Sequence, residues 1–342
     1  RRRRRRKKGL KVAHNLAQIC HCHAQGKVGS GFDVSSAIYG SHIYTRFSKH
    51  VIASLLEELE EKASSSSLSN TLSTKLYNSV VNVDQTWDST VQPLSLPTGM
   101  ELLMADVCGG SESPSMARKI LAWKKEKGCK RGDDDYWSNL EQVNRDIQHL
   151  FATDLSSSSS ELQSWMEEQQ KTCSKGMNRS NIFTTCTAKE WDAISNNESN
   201  VYTLPTANMA NILIKMRDLF SVARTNLRCM GEAAGVPVEP KEQMDLADAT
   251  MKVPGVIAAG VPGAGGYDAL FVLYMKGIAT GGGDGASSDE VRDTIGELWR
   301  NWSVTKDEDP KKGGGVSTVC PLAVRAAGSG GVHGLCETDL GW

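Results

Sequence analysis

No net positive field runs through this sequence. Its 39 basic and 40 acidic side chains give a formal charge of −1, which excludes the broad cationic surface that holds nucleic acid. The first eight residues, Arg1 to Lys8, carry eight of the positive charges, so the other 334 hold 31 basic against 40 acidic groups, a net of −9. We read that run as a basic tail and rank nucleic-acid binding through it last among the possible functions. No apolar stretch follows it. His14, Asn15 and Gln18 stand where the core of a secretion signal would lie, so none is expected. No uninterrupted hydrophobic segment suits lipid either: residues 253–275 are almost uncharged, but Pro254, Pro262, five glycines and Asp268 would leave backbone groups unpaired in a bilayer. Internal repeats are absent. Nine cysteines, an odd count scattered from Cys20 to Cys336, do not make a disulfide framework and read as reduced thiols. A cytoplasmic protein is expected, with no C-terminal peroxisomal tripeptide. There is no initial methionine, and a polyarginine start marks the chain as an expected fragment or misplaced gene start.

What is present is ordinary globular material. With glycine counted in and tyrosine out, about 46% of the 342 residues are apolar, and the length fits two domains with a cleft between them. Helical spacing of Ala13, Leu16, Ala17 and Cys20 predicts a helix over residues 10–24 with that face buried. A short helical turn running into a strand is expected over 35–47 and a helix over 51–62. A strand at 101–107 should lead through a Gly-Ser turn into a helix at 116–127. Further helices are expected at 136–154 and 161–172, and the clearest at 208–234, with Ile212, Met216, Leu219, Ala223, Leu227, Met230 and Ala234 on one face and Gly235 ending it. Serine runs at 64–69 and 156–160 read as surface insertions, and Gly281 to Gly283 and Gly313 to Gly315 as loops. Periodicity leaves residues 269–275 open between strand and helix.

Several chemistries can be weighed from residue types. His14, Cys20, His21, Cys22 and His23 are zinc-ligand types, but adjacent positions on a helix point to different faces, so the structural reading is preferred. No Walker loop is present, because Gly26-Lys27-Val28 lacks the following hydroxyl. The informative blocks are three. Residues 24–35, Ala-Gln-Gly-Lys-Val-Gly-Ser-Gly-Phe-Asp-Val-Ser, set a carboxylate beside a glycine turn, a cation and hydroxyls, which suits an anionic substrate; the plain alternative is a helix-capping Asp33. Gly109-Gly110-Ser111-Glu112-Ser113-Pro114-Ser115 follows a strand and can offer N–H groups to an anion. Pro262-Gly263-Ala264-Gly265-Gly266-Tyr267-Asp268 lies between two apolar segments.

Taken in this order, together with Ser36-Ala37-Ile38-Tyr39-Gly40-Ser41, Tyr44-Thr45-Arg46-Phe47-Ser48 and Val236-Pro237-Val238-Glu239-Pro240, these blocks resemble the phosphomevalonate kinases of the eukaryotic type, within the GHMP small-molecule kinase superfamily. The resemblance runs from about His14 to Leu322. It implies an α+β fold: a truncated ribosomal-protein-S5-like N-terminal domain over 9–98 after the tail at 1–8, and a ferredoxin-like C-terminal domain over 99–342. It implies transfer of a phosphoryl group from ATP, with Mg²⁺, to the small molecule 5-phosphomevalonate. Asp33 maps onto the family's active-site aspartate, and Gly263-Ala264-Gly265-Gly266 onto its C-terminal glycine motif, a loop between two strands. By residue type and place we add Lys27 as a cation near the acceptor, with Ser30, Ser111, Ser113, Ser115 and Arg46 as substrate contacts. The metal ligands and the oligomeric state stay unassigned. The family's N-terminal lysine strand and Gly-Leu-Gly-Ser-Ser phosphate loop are not among these residues, so this chain alone is expected to show only trace activity. Mevalonate kinase is the nearest rival enzyme, and a catalytically incomplete fragment or pseudoenzyme acting as a binding partner is the alternative from another class.

Overall fold

The computed structural model describes residues 2–62, 69–82, 87–97, 99–107, 113–128, 130–131, 134–156, 159–174, 182–197, 201–276, 290–302 and 319–322. Residues 64–68 of the first serine run, Ser157 and Ser158 of the second, and the glycine clusters after residue 280 lie outside them. The chain divides between Leu96 and Pro97 into two compact units. No described helix is long and apolar enough to cross a membrane.

The first unit holds α1 (Arg2–Ala24), α2 (Phe32–Tyr39), β1 (His42–Thr45), α3 (Ala53–Glu61), α4 (Asn70–Val81) and β2 (Thr90–Pro93). β1 and β2 pair antiparallel, His42 opposite Pro93 and Thr45 opposite Thr90. The basic run is helical from Arg2, the first residue of α1. The expected apolar face of α1 is also corrected. Leu16 and Cys20 are exposed, and the buried residues are His14, Asn15, Gln18, Ile19 and Cys22. Polar groups can be buried there because neighbouring backbone carbonyls accept their hydrogen bonds: Asn15 Nδ2 donates to Val80 O at 3.3 Å and Gln18 Nε2 to Gly31 O at 2.7 Å. Ile19 and Cys22 join Phe47, Ile52, Leu55, Leu72 and Val80 in one core. Sequence patterning missed α4, whose N-cap Ser69 accepts from Leu72 N.

The second unit runs β3 (Met100–Val107), α5 (Ser113–Lys127), the small hairpin β4 (Lys130–Arg131) and β5 (Asp134–Asp135), α6 (Tyr136–Ala152), α7 (Ser160–Ser174), α8 (Ile182–Thr185), α9 (Ala188–Asn196), α10 (Leu204–Ala234), α11 (Lys241–Thr250), β6 (Val256–Gly260), β7 (Ala269–Met275), α12 (Glu290–Arg300) and β8 (Val319–Leu322). Its four-stranded sheet has the order β6-β7-β3-β8, every pair antiparallel. Numbered along the chain, those strands lie 2-3-1-4, the β-α-β-β-α-β arrangement of a ferredoxin-like sheet, with a long helical insertion before its second strand. The fold is α+β. The uninterrupted apolar stretch at 269–275 is strand β7, flanked by β6 and β3, with Leu270, Val272, Leu273, Tyr274 and Met275 all buried. Burial of side chains on both faces removes the alternation that marks a half-exposed strand. Trp299 of α12 packs into this core and its indole N–H donates to Thr250 Oγ1 at 2.9 Å.

Candidate functional site

The first block forms a turn held by α1. The chain leaves the helix through Gly26, φ 62°, and Lys27 N donates to Cys22 O at 3.1 Å. Lys27 and Ser30 are exposed on the turn. Gly31 then adopts a left-handed conformation, φ 70°, as the N-cap of α2 without a side-chain cap. Its carbonyl accepts from Ser35 N at 3.0 Å and from the Gln18 amide at 2.7 Å. Glycine is required there twice over, because φ is positive and a Cβ would overlap the Gln18 amide.

Asp33 therefore lies in the first turn of α2, one residue past the cap region, where the helix N-terminus favours a carboxylate. It is not the N-cap. Its side chain is half exposed and Oδ2 meets His21 Nε2 at 3.1 Å. Arg46, just past β1, is exposed and donates from Nη1 to Gly29 O at 3.2 Å. The Cys22 thiol is pushed up chiefly by burial, with the charge of Asp33 adding to this and that of Arg46 opposing it, so anion and cation act on one spot behind the turn. A second layer backs it. Ser35 Oγ lies 2.6 Å from His42 Nε2, and His42 Nδ1 lies 2.6 Å from Gly40 O. His14 is held below the usual imidazole range by burial above all. Of the five candidate metal ligands, His21 faces Asp33, His14 and Cys22 are buried, and Cys20 and His23 are exposed.

In the other unit, Met116, just after the second block, and the glycine loop of the third both pack at Val238. Ser111 is outside the described residues and Ser113 is described only in its backbone, in the first turn of α5. Ser115 is half-buried on that turn, and the next residue, Met116, packs in a cluster with Val236 and Val238. Residues 261–268 form the β6–β7 loop. Gly266 N donates to Val238 O at 2.9 Å and Gly265 N to Pro262 O at 3.1 Å, while Gln243 Nε2 donates to Tyr267 O at 2.8 Å. A Cβ on Gly265 would run into the Val238 carbonyl, whereas one on Gly263, φ 64°, would meet nothing within 4 Å. The glycine loop thus has a packed half, 265–266, and an open half, 263–264. Beside it Glu239 is fully buried between Arg224, whose Nε donates to it, and Arg228 at 3.7 Å; Arg224 also reaches Asp248 at 2.8 Å. A buried carboxylate held by two arginines fixes the segment that carries Val238.

Sequence reasoning missed the roles of His21, weighed there only as a metal-ligand type, of Gln18 and of His42. The first two had a visible signal, since His14, Gln18 and His21 sit at i, i+4 and i+7 on α1, a polar stripe with the period of a helix face. His42 had none.

No family model matches the chain. Over 338 residues it is 30% identical to phosphomevalonate kinase erg8 of Aspergillus fumigatus, covering 98% of the chain and 55% of that protein. Over 272 residues it is 34% identical to the peroxisomal phosphomevalonate kinase of Arabidopsis thaliana, covering 79% and 48% respectively. Among solved structures, the Lin0012 protein of Listeria innocua overlays with a TM-score of 0.44 at 15% identity, covering 85% of the chain and 56% of that protein. The chain spans about half the length of the curated relatives it matches.

Proposed function

Since this chain is related to the phosphomevalonate kinases over about half of their length, we propose that the protein carrying it transfers the γ-phosphoryl group of ATP to the phosphate of 5-phosphomevalonate, giving 5-diphosphomevalonate and ADP. An oxygen of the acceptor phosphate bonds to the γ-phosphorus as the bond from that phosphorus to ADP breaks. The acceptor is already mostly ionised at neutral pH, so the protein must align two anions rather than create a strong nucleophile. The observation that carries this reading is Asp33, a half-exposed carboxylate fixed at a helix start by His21 and sharing its turn with Arg46. Asp33 orients the acceptor and takes any residual proton. Arg46 and Lys27 offset the acceptor's charge, and Ser30 donates to it.

The glycine loop serves the nucleotide through its open half. At Gly263 nothing lies within 4 Å of where a Cβ would stand and glycine carries none, so its backbone can be approached closely, which fits a phosphate. ATP with Mg²⁺ supplies the phosphoryl group and screens its charge. Ser113 and Ser115, in the first turn of α5, and Ser111, two residues before it in the sequence, are the remaining proposed substrate contacts. A cytoplasmic location belongs to the same proposal, although the Arabidopsis relative is named as peroxisomal.

In the protein carrying this chain, Asp33→Asn is expected to lower phosphomevalonate-dependent ADP release by on the order of 100-fold or more, with nucleotide affinity and thermal midpoint little changed. Turnover within a fewfold of the parent would reduce Asp33 to a helix-start carboxylate.

A further inference from the structure

We propose that Gln18 is a positioning residue for the Asp33 turn, acting from inside the core without touching substrate; this rests on the reading of Asp33 given above. Gln18 is completely buried. Its amide nitrogen has two acceptors, Gly31 O at 2.7 Å and His14 Nε2 at 3.1 Å. An amide NH₂ carries two hydrogens, so one satisfies each. That assignment fixes three things together. His14 Nε2 must be bare, which leaves its proton on Nδ1, 3.4 Å from Asn15 Oδ1. The Gln18 amide cannot flip, since its oxygen would then face the Gly31 carbonyl. Gly31 is locked in its left-handed conformation, because Ser35 N and Gln18 Nε2 both pull on its one carbonyl.

Two residues further on, Asp33 is held by the same helix through His21, one turn along α1 from Gln18. α1 thus grips the turn at its carbonyl through a buried amide and at its carboxylate through a half-exposed imidazole. The two grips differ in kind. His21 competes with any ligand for Asp33, whereas Gln18 sets where the carboxylate stands. Among the described residues the Gln18 Oε1 atom has no hydrogen-bond partner, and it lies against Gly31. Leaving a buried carbonyl oxygen unpaired is costly, and the cost is borne where the turn must be placed accurately. A displacement of about 1 Å at a reacting group lowers turnover by on the order of 100-fold.

The test uses Gln18→Met, which keeps the length and removes both donors, in the protein carrying this chain, with Gln18→Leu as a second variant should the first not fold. Two readings are taken on folded protein: amide hydrogen exchange over residues 31–35, and kinetics with phosphomevalonate and ATP varied separately. We expect faster exchange at Ser35, a kcat lowered by tenfold to 100-fold and a raised KM for phosphomevalonate, while KM for ATP stays within twofold. A purely structural role would lower the thermal midpoint without separating the two substrates. Unchanged exchange overturns the proposal, and so does fast exchange with parental kinetics. If the parent itself shows no phosphomevalonate-dependent turnover, the functional reading fails; exchange at Ser35 then still decides whether Gln18 holds the turn.

Discussion

Gly263 and Gly265 carry the same residue type in the same loop at positive φ, yet their surroundings demand different things of them. At Gly263 a side chain meets open space, so Gly263→Ala costs about 1–2 kcal/mol from the left-handed conformation alone. At Gly265 the Cβ would overlap the Val238 carbonyl, and about 1–3 kcal/mol of overpacking is added. Urea unfolding of the two variants should rank them in that order, and nucleotide affinity measured on folded protein should fall more for Gly263→Val than for Gly263→Ala. Equal stabilities for Gly263→Ala and Gly265→Ala would contradict the packed-half and open-half division. The spacing of these glycines was legible in the sequence. Which of them faces protein was not, because that depends on Val238, a residue 25 or more positions away. Asp33 shows the same limit: its residue type and turn were readable, but its His21 partner is supplied by tertiary packing.

Among the helices, α10 and α1 teach opposite lessons. The apolar stripe of α10 was legible because burial falls on Ile212, Met216, Ala223 and Met230 as the spacing requires, and Gly235 closes it in a left-handed conformation, φ 64°. Gly231, one residue past that stripe, behaves unlike an ordinary helical glycine. Replacing such a residue by alanine normally stabilises by about 1 kcal/mol, but a Cβ here would stand 2.7 Å from Val236 O and 2.9 Å from Val238 Cβ. Gly231→Ala is therefore expected to destabilise, and to weaken nucleotide binding by shifting the segment on which both Met116 and the glycine loop rest. A stabilised variant with parental nucleotide affinity would show that the segment yields freely. In α1, Leu16 and Cys20 of the apolar stripe chosen from the sequence face solvent, while Asn15 and Gln18, donating to the distant Val80 and Gly31 carbonyls, and His14, bonded to both their side chains, go inside. Periodicity detects a face; it does not say whether apolar or satisfied polar residues will occupy the core.

For the molecule as a whole, part of the pH dependence of stability follows from groups in the first unit. His14 has its pKa lowered from 6.5 by burial, so at low pH the unfolded chain binds the proton more readily than the folded one. Its contribution is complete above pH 6.5 and is lost progressively as pH falls below it. Tyr39 and Tyr44 are both pushed up from 10 to about 12, burial being the largest cause; here the folded state keeps its protons longer, and stability declines as pH rises from 10 towards 12. Urea titrations should show the acid limb flattened in His14→Phe. An unaltered slope between pH 5 and 7 would mean that other groups carry the acid limb. The order of strands in the second unit was not derivable from residue patterns: β7, covered on both faces, reads equally as strand or helix, and β8 pairs with β3 from more than 200 residues away. The strand at 101–107 and the helix at 116–127 were legible because each carries a local signal; residues 108–112, read as a Gly-Ser turn, lie outside the described residues.

The central claim is that the acceptor is a phosphate rather than an alcohol, and phosphorus NMR of the reaction catalysed by the protein carrying this chain tests it most directly. With ATP, Mg²⁺ and 5-phosphomevalonate, the monoester resonance should disappear as the paired resonances of a diphosphate ester grow in step with ADP, and Asp33→Asn should abolish that conversion. Formation of ADP with the phosphomevalonate monoester untouched, or a new monoester formed on the hydroxyl of mevalonate in preference, would contradict the account.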